Sequence, residues 1–157
     1  MNKLIVLAAL LSVNLASKND FPSFDALHAN CALKVTYKGQ TCDTVLPKIE
    51  SVIKSFTPEP ESKGLYAIKE DGSDYVWSTR TTPTHHYVDD IIFETDASNG
   101  DCVVESKSRS ESLSYYDYET NYCNMWAVHN VVGGFTDVTP SDCKFIPTDP
   151  VTRCAVY

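Results

Sequence analysis

Two carboxylates and an arginine, Asp89, Arg109 and Asp117, are the residues whose types and spacing could do chemistry. Residues 87–95 read as a strand, on which positions 87, 89, 91 and 93 share one face, so Asp89 points with Ile91 and Phe93 toward a core. A buried carboxylate demands a partner, and Arg109 or Lys107 on the following strand can reach it if the register allows. Such a pair would be either an anion clamp lining a pocket or an internal ion pair that fixes register, and the second reading is the simpler. Asp117 could serve as a general base, although its place before a helical pattern makes it first a helix cap.

Other chemical constellations fit poorly. The sequence contains no nucleophile elbow, phosphate-binding loop or dinucleotide glycine pattern, and its carboxylates match no calcium loop. His85 and His86 are adjacent and would face opposite sides of a strand, so they cannot chelate one ion as an i, i+4 pair does. His28 and His129 lie far away in sequence, and no metal or cofactor is expected. The remaining signal is aromatic: Tyr115, Tyr116, Tyr118, Tyr122 and Trp126 crowd one short stretch beside Asn121. If the sheet curls around its helices, these rings and Trp77 could line a cavity for a small apolar ligand.

The elements that must position these residues are legible as periodicity. Residues 32–38 alternate as a strand. Val45, Leu46, Ile49, Val52, Ile53 and Phe56 then fall on one face of a helix, with Asp43 or Thr44 as its cap, Pro47 near its start, and Pro58 and Pro60 beyond its end. Strands come next at 64–70, 74–80, 87–95 and 101–110. Asp71-Gly72 and Asn99-Gly100 suit tight hairpins, whereas Thr82-Pro83 suits a wider connection. A second helix over 118–132 carries Tyr118, Tyr122, Met125, Trp126 and His129 on one face and ends at Gly133-Gly134. Pro140, Pro147 and Pro150 break up the C-terminal stretch beyond it. The expected fold is α+β: a four- to five-stranded antiparallel sheet with two helices on one face.

Compartment is read from the start of the chain and from its sulfur. Residues 1–16 have the pattern of a signal peptide: a positive start ending at Lys3, an apolar run over 4–11 too short to span a bilayer, and small residues at Ala16 and Ser17. That leaves one secreted domain over 17–157, with no stable membrane insertion expected. Six cysteines, Cys31, Cys42, Cys102, Cys123, Cys143 and Cys154, are most simply three disulfides. The preferred pairing is local, joining Cys31 to Cys42, Cys102 to Cys123 and Cys143 to Cys154. Acidic residues outnumber basic ones 21 to 13, for a formal charge of -8, which argues against a nucleic-acid partner.

Three motifs in order resemble the family called domain of unknown function 1499. They are Val88-Asp89-Asp90-Ile91-Ile92-Phe93, Glu105-Ser106-Lys107-Ser108-Arg109-Ser110, and Asp117-Tyr118-Glu119-Thr120-Asn121, all preceded by the amphipathic helix. The resemblance implies that family's fold and brings no reaction with it. After Asn121 the chain has Tyr122, Cys123 and Asn124 where the family pattern has basic residues, so no role of theirs is carried over.

The functional expectation is a secreted noncatalytic binding protein, either a carrier of a small apolar ligand or an extracellular matrix or interaction component. Its candidate ligand-binding residues are Asp89, Arg109, Asp117, Asn121, Tyr122, Trp126 and Trp77. The alternative is a hydrolase-like enzyme using Asp89, Arg109 and Asp117. The sequence leaves oligomeric state open.

Overall fold

The computed structural model describes residues 17–157, so the signal-peptide expectation for 1–16 lies outside the described residues. After a single turn of 3-10 helix, the elements are β1 (Asn30–Tyr37), α1 (Cys42–Ser55), β2 (Leu65–Asp71), β3 (Tyr75–Thr81), β4 (Val88–Ser98), β5 (Asp101–Ser110), α2 (Thr120–Val132), β6 (Asp137–Ser141) and α3 (Pro150–Cys154). The strands form one antiparallel sheet in the order β2-β3-β4-β5-β1-β6. Strands β2 to β5 make the expected meander. Asn99 and Gly100 close its last hairpin with φ of 53° and 86°, the pair of positive values that a two-residue turn matched to strand twist requires.

Both main helices lie on one face, as the alternation in β1 demands. Cys31, Leu33, Val35 and Tyr37 are buried on that face in one core with Val45, Ile49 and Ile53 of α1 and Met125 and Val128 of α2. Helix α1 starts at Cys42, earlier than a cap at Asp43 or Thr44 would place it, and Pro47 stands in its second turn. The carbonyl this proline leaves unpaired, four residues back, belongs to exposed Asp43, where water can serve it.

Among the described residues the sheet has six strands and there are three α-helices, the third packed on α2, more than the four to five strands and two helices expected. Strand β6 was hidden by Pro140, which would disrupt a central strand but is tolerated here on an edge, opposite Leu33. Pro150 opens α3 instead of breaking structure, with the Asp149 side chain accepting from the Thr152 N–H. Helix α2 begins at Thr120, so Tyr118 stands outside it. Among the described residues, no helix is long and apolar enough to cross a membrane.

All six cysteines are paired, but as Cys31–Cys143, Cys42–Cys102 and Cys123–Cys154, which corrects every bond of the local pairing. Register explains the outcome. Cys102, the second residue of β5, lies opposite Tyr37, the last residue of β1, which brings it beside the start of α1 at Cys42. Ser141 of β6 lies opposite Ala32, which carries Cys143 to Cys31. Antiparallel neighbours are adjacent in space while far apart in sequence, so the shortest loops were the wrong guide.

The opposite face of the sheet is partly covered by the segment before β1. Phe21 meets the Trp77 ring edge-on at 5.5 Å, and Trp77 packs with Tyr75 and Ile92. Asp25 pairs with Arg109 at 2.8 Å.

Candidate functional site

Strand β5 presents Ser106, Ser108 and Ser110 to the helix face, all buried, in line with Cys102 and Val104. Buried hydroxyls need partners, and α2 supplies them from Asn121, Asn124 and His129. Ser106 Oγ lies 2.7 Å from His129 Nε2, and Ser108 Oγ donates to Asn121 Oδ1 at 2.7 Å. Asn124 Nδ2 donates to Ser108 Oγ at 3.0 Å and to Asp89 Oδ2 at 2.8 Å, while Ser110 Oγ donates to Asp89 Oδ1 at 2.7 Å. A polar stripe on the sheet thus meets a polar stripe on the helix.

Asp89 faces the helices as expected and is only 2% exposed, but it does not pair with Arg109 or Lys107. The register sets Ser110 opposite Asp89 and Arg109 opposite Asp90, so period-two alternation turns the serines inward and the basic side chains to the far face. There Arg109 bonds Asp25 and His28, and Lys107 bonds Glu94 at 2.8 Å. Burial pushes the Asp89 carboxyl pKa up, opposed by its bonds from Asn124 and Ser110 and by the charge of Arg80. Arg80 is the residue that sequence reasoning missed: it stands directly opposite Asp89 on β3 and is 1% exposed. Its helix-facing alternation with Val76 and Ser78 was visible, but the wide loop after Thr81 left its register with β4 undetermined.

A cleft of about 490 Å³ opens where β4, β5 and the start of α2 meet. Asp89, Ser110, Asp117 and Thr120 are part of its polar lining, with further hydroxyls from the loops on either side. Tyr87, Leu113, Tyr116, Tyr118 and Val156 supply apolar and aromatic walls, with Tyr118 65% exposed. His85 also lines it and stacks on Tyr87 at 5.4 Å between centroids. Asp117 Oδ2 accepts from the Asn121 main-chain N–H at 3.0 Å and from Asn121 Nδ2 at 2.9 Å, so it does cap α2, from two residues before the Glu119 cap position. Tyr118 and Glu119 reach that arrangement with φ of 49° and 73°, each costing on the order of 1 kcal/mol. Strain of this kind concentrates at binding loops, where the surrounding structure holds it in place.

The structure therefore gathers Asp89 and Asp117 at the cleft, with Asn121 bonded directly behind Asp117. Tyr122 and Trp126 stack on each other at 6.3 Å farther along α2, outside the cleft lining. Trp77 is not beside them, because it alternates to the opposite sheet face, where its Nε1 donates to Asp90 Oδ1 at 2.7 Å and Lys69 lies over its ring. Among the described residues, no three His, Cys, Asp or Glu side chains are grouped to hold a metal ion.

Fold and site together define a disulfide-linked α+β domain with an aromatic-walled cleft over a buried polar network. The family described as "Protein of unknown function (DUF1499)" matches residues 11–128, and the chain belongs to that family. The match takes in Arg80, Asp89, Ser110, Asp117 and the serine and asparagine stripes, and it stops short of β6 and α3. No curated protein and no solved structure matches.

Proposed function

We propose that this protein is a secreted, noncatalytic carrier that holds a small ligand with an apolar body in the cleft beside Asp89 and Asp117. The observation that carries this reading is the cleft itself: a volume of about 490 Å³ lies within the usual range for small-molecule sites. Its lining mixes aromatic and apolar walls with convergent polar groups, among them Asp89 and Asp117. The export part of the reading is supported by the apolar leader and by three disulfides, which persist in oxidising compartments. Native mass spectrometry of protein purified from its source should find a small molecule bound. The carrier reading fails if only the bare chain is seen and no apolar probe raises its melting temperature. Tyr87→Ala and Tyr118→Ala should weaken binding while shifting stability by no more than about 0.5 kcal/mol, since both rings are largely exposed.

A hydrolase-like reading keeps Asp89 and Asp117 in one cleft but not Arg109, which belongs to the far face. Turnover of ester or amide probes that Asp89→Asn abolishes without loss of binding would favour it over the carrier.

A further inference from the structure

Arg80 lies behind the wall of the same cleft, buried and outside its lining. It stands opposite Asp89 and donates to the main-chain oxygen of Tyr157, and both of those residues line the cleft. Its position is built into the fold. A Cβ on Gly64 would lie 2.3 Å from Arg80 Nε and 2.7 Å from Cζ, so only glycine lets the guanidinium rest against that backbone. The Tyr66 ring lies 5.9 Å from the guanidinium carbon.

A guanidinium this deeply buried needs anionic or acceptor partners on most of its donors. Among the described residues, Arg80 forms no ion pair with an Asp or Glu side chain: the nearby carboxylates are engaged elsewhere, Asp89 by Ser110 and Asn124, and Glu59 by Ser62. Nη2 donates to Ser62 Oγ at 2.9 Å and to the main-chain oxygen of Tyr157, and Nη1 has no partner. The oxygen that meets Arg80 thus comes from residues 155–157, beyond the Cys123–Cys154 disulfide, a stretch that also lines the cleft through Val156 and Tyr157. Arg80 and Asp89 lie inside the span matched by the family, and this stretch lies outside it.

We propose that Arg80 is the anion-binding end of the cleft, that a ligand carboxylate seats on its Nη1 and Nη2, and that residues 155–157 occupy this position when ligand is absent. The planar fork of arginine suits two parallel bonds to a carboxylate, which would supply the partner Nη1 lacks and replace the Tyr157 oxygen on Nη2. The ligand is then an amphipathic carboxylic acid, with its apolar body against Tyr87, Leu113 and Tyr116. This assignment rests on the carrier reading above.

The test compares 3-phenylpropionate with 3-phenylpropanol by calorimetric titration of the full chain and of a variant ending at Cys154. That variant keeps all three disulfides, and near-ultraviolet circular dichroism checks its packing. Removing the segment takes wall contacts from both probes, so the readout is the ratio of their affinities. The carboxylate-to-alcohol ratio should rise about tenfold or more in the shortened chain, because the competing oxygen is gone. Arg80→Gln in that background should abolish the preference. If Arg80→Gln does not fold, Arg80→Lys keeps the charge without the fork and should reduce the preference. Binding of both probes with an unchanged ratio overturns the anion site and leaves the carrier reading standing. Absence of binding by either probe to either chain overturns both.

Discussion

Replacing His129 with Gln should remove a large part of the acid sensitivity of this protein's stability. His129 is fully buried, with Nδ1 2.7 Å from the Tyr37 hydroxyl, Nε2 2.7 Å from Ser106 Oγ and the Phe93 ring 5.4 Å away. Its hydrogen-bond partners are hydroxyls and not carboxylates, so nothing compensates a charge there, and burial lowers its pKa from 6.5 to about 3. On acidification the unfolded chain takes up this proton first. The stability tied to the neutral ring is therefore complete above pH 6.5 and is lost progressively as pH falls toward 3. Linkage between those two values gives a loss of about 2 kcal/mol at pH 5 and about 3 kcal/mol at pH 4.

Urea titrations of both proteins at pH 7, 5 and 4 measure this loss. The variant should start less stable by about 1–3 kcal/mol, since glutamine cannot reproduce both hydrogen bonds of the ring. Between pH 7 and 4 it should then lose about 3 kcal/mol less than the parent. Four carboxyls also shift on folding: Asp25 and Asp149 are lowered by their hydrogen bonds, while Asp89 and Glu59 are raised by burial. They titrate in both proteins and cancel in the difference. Parallel stability curves would refute the reasoning, because the core would then tolerate an imidazolium between Tyr37 and Ser106.

Nonreducing peptide mapping should link Cys31 to Cys143, Cys42 to Cys102 and Cys123 to Cys154. Chain entropy ranks the losses by loop length, so the Cys31→Ser/Cys143→Ser pair should cost about 5 kcal/mol and the Cys123→Ser/Cys154→Ser pair about 4 kcal/mol in denaturant titrations. Ile49→Ala, at a fully buried position on α1, should lower stability by about 2–5 kcal/mol, and a smaller loss would mean that the site collapses around the cavity. Gly64→Ala should cost about 1–3 kcal/mol by driving a methyl into the Arg80 guanidinium, whereas an unchanged melting temperature would show that Arg80 can move aside.

Much of the architecture could be read locally. The α1 stripe of Val45, Leu46, Ile49 and Ile53 is buried as its spacing implies, and the Asn99-Gly100 turn adopts the two positive φ values its residues favour. The Asp117 side chain does accept from the first turn of α2, although the helix starts at Thr120 and Glu119 holds the cap position. Half of the candidate site was legible in the same way: Asp89 faces the helices because β4 alternates. The other half was not, because alternation says which residues share a face and not which strand position stands across from them.

Periodicity, turn chemistry and cysteine count, all properties of short stretches, determined the antiparallel meander, the two main helices on one face and the inward carboxylate at 89. Only the assembled sheet decided that β1 runs between β5 and β6, and that placement selected the disulfides by bringing Cys31 to Cys143 and Cys42 to Cys102. It also needed the assembled sheet to set Ser110 and Arg80 across from Asp89 while sending Arg109 to the far side, and to bring the main-chain oxygen of Tyr157 onto Arg80. The physical reason is that strand register and helix docking are contacts between residues far apart in sequence, set by the packing of the whole core and by no single segment of it.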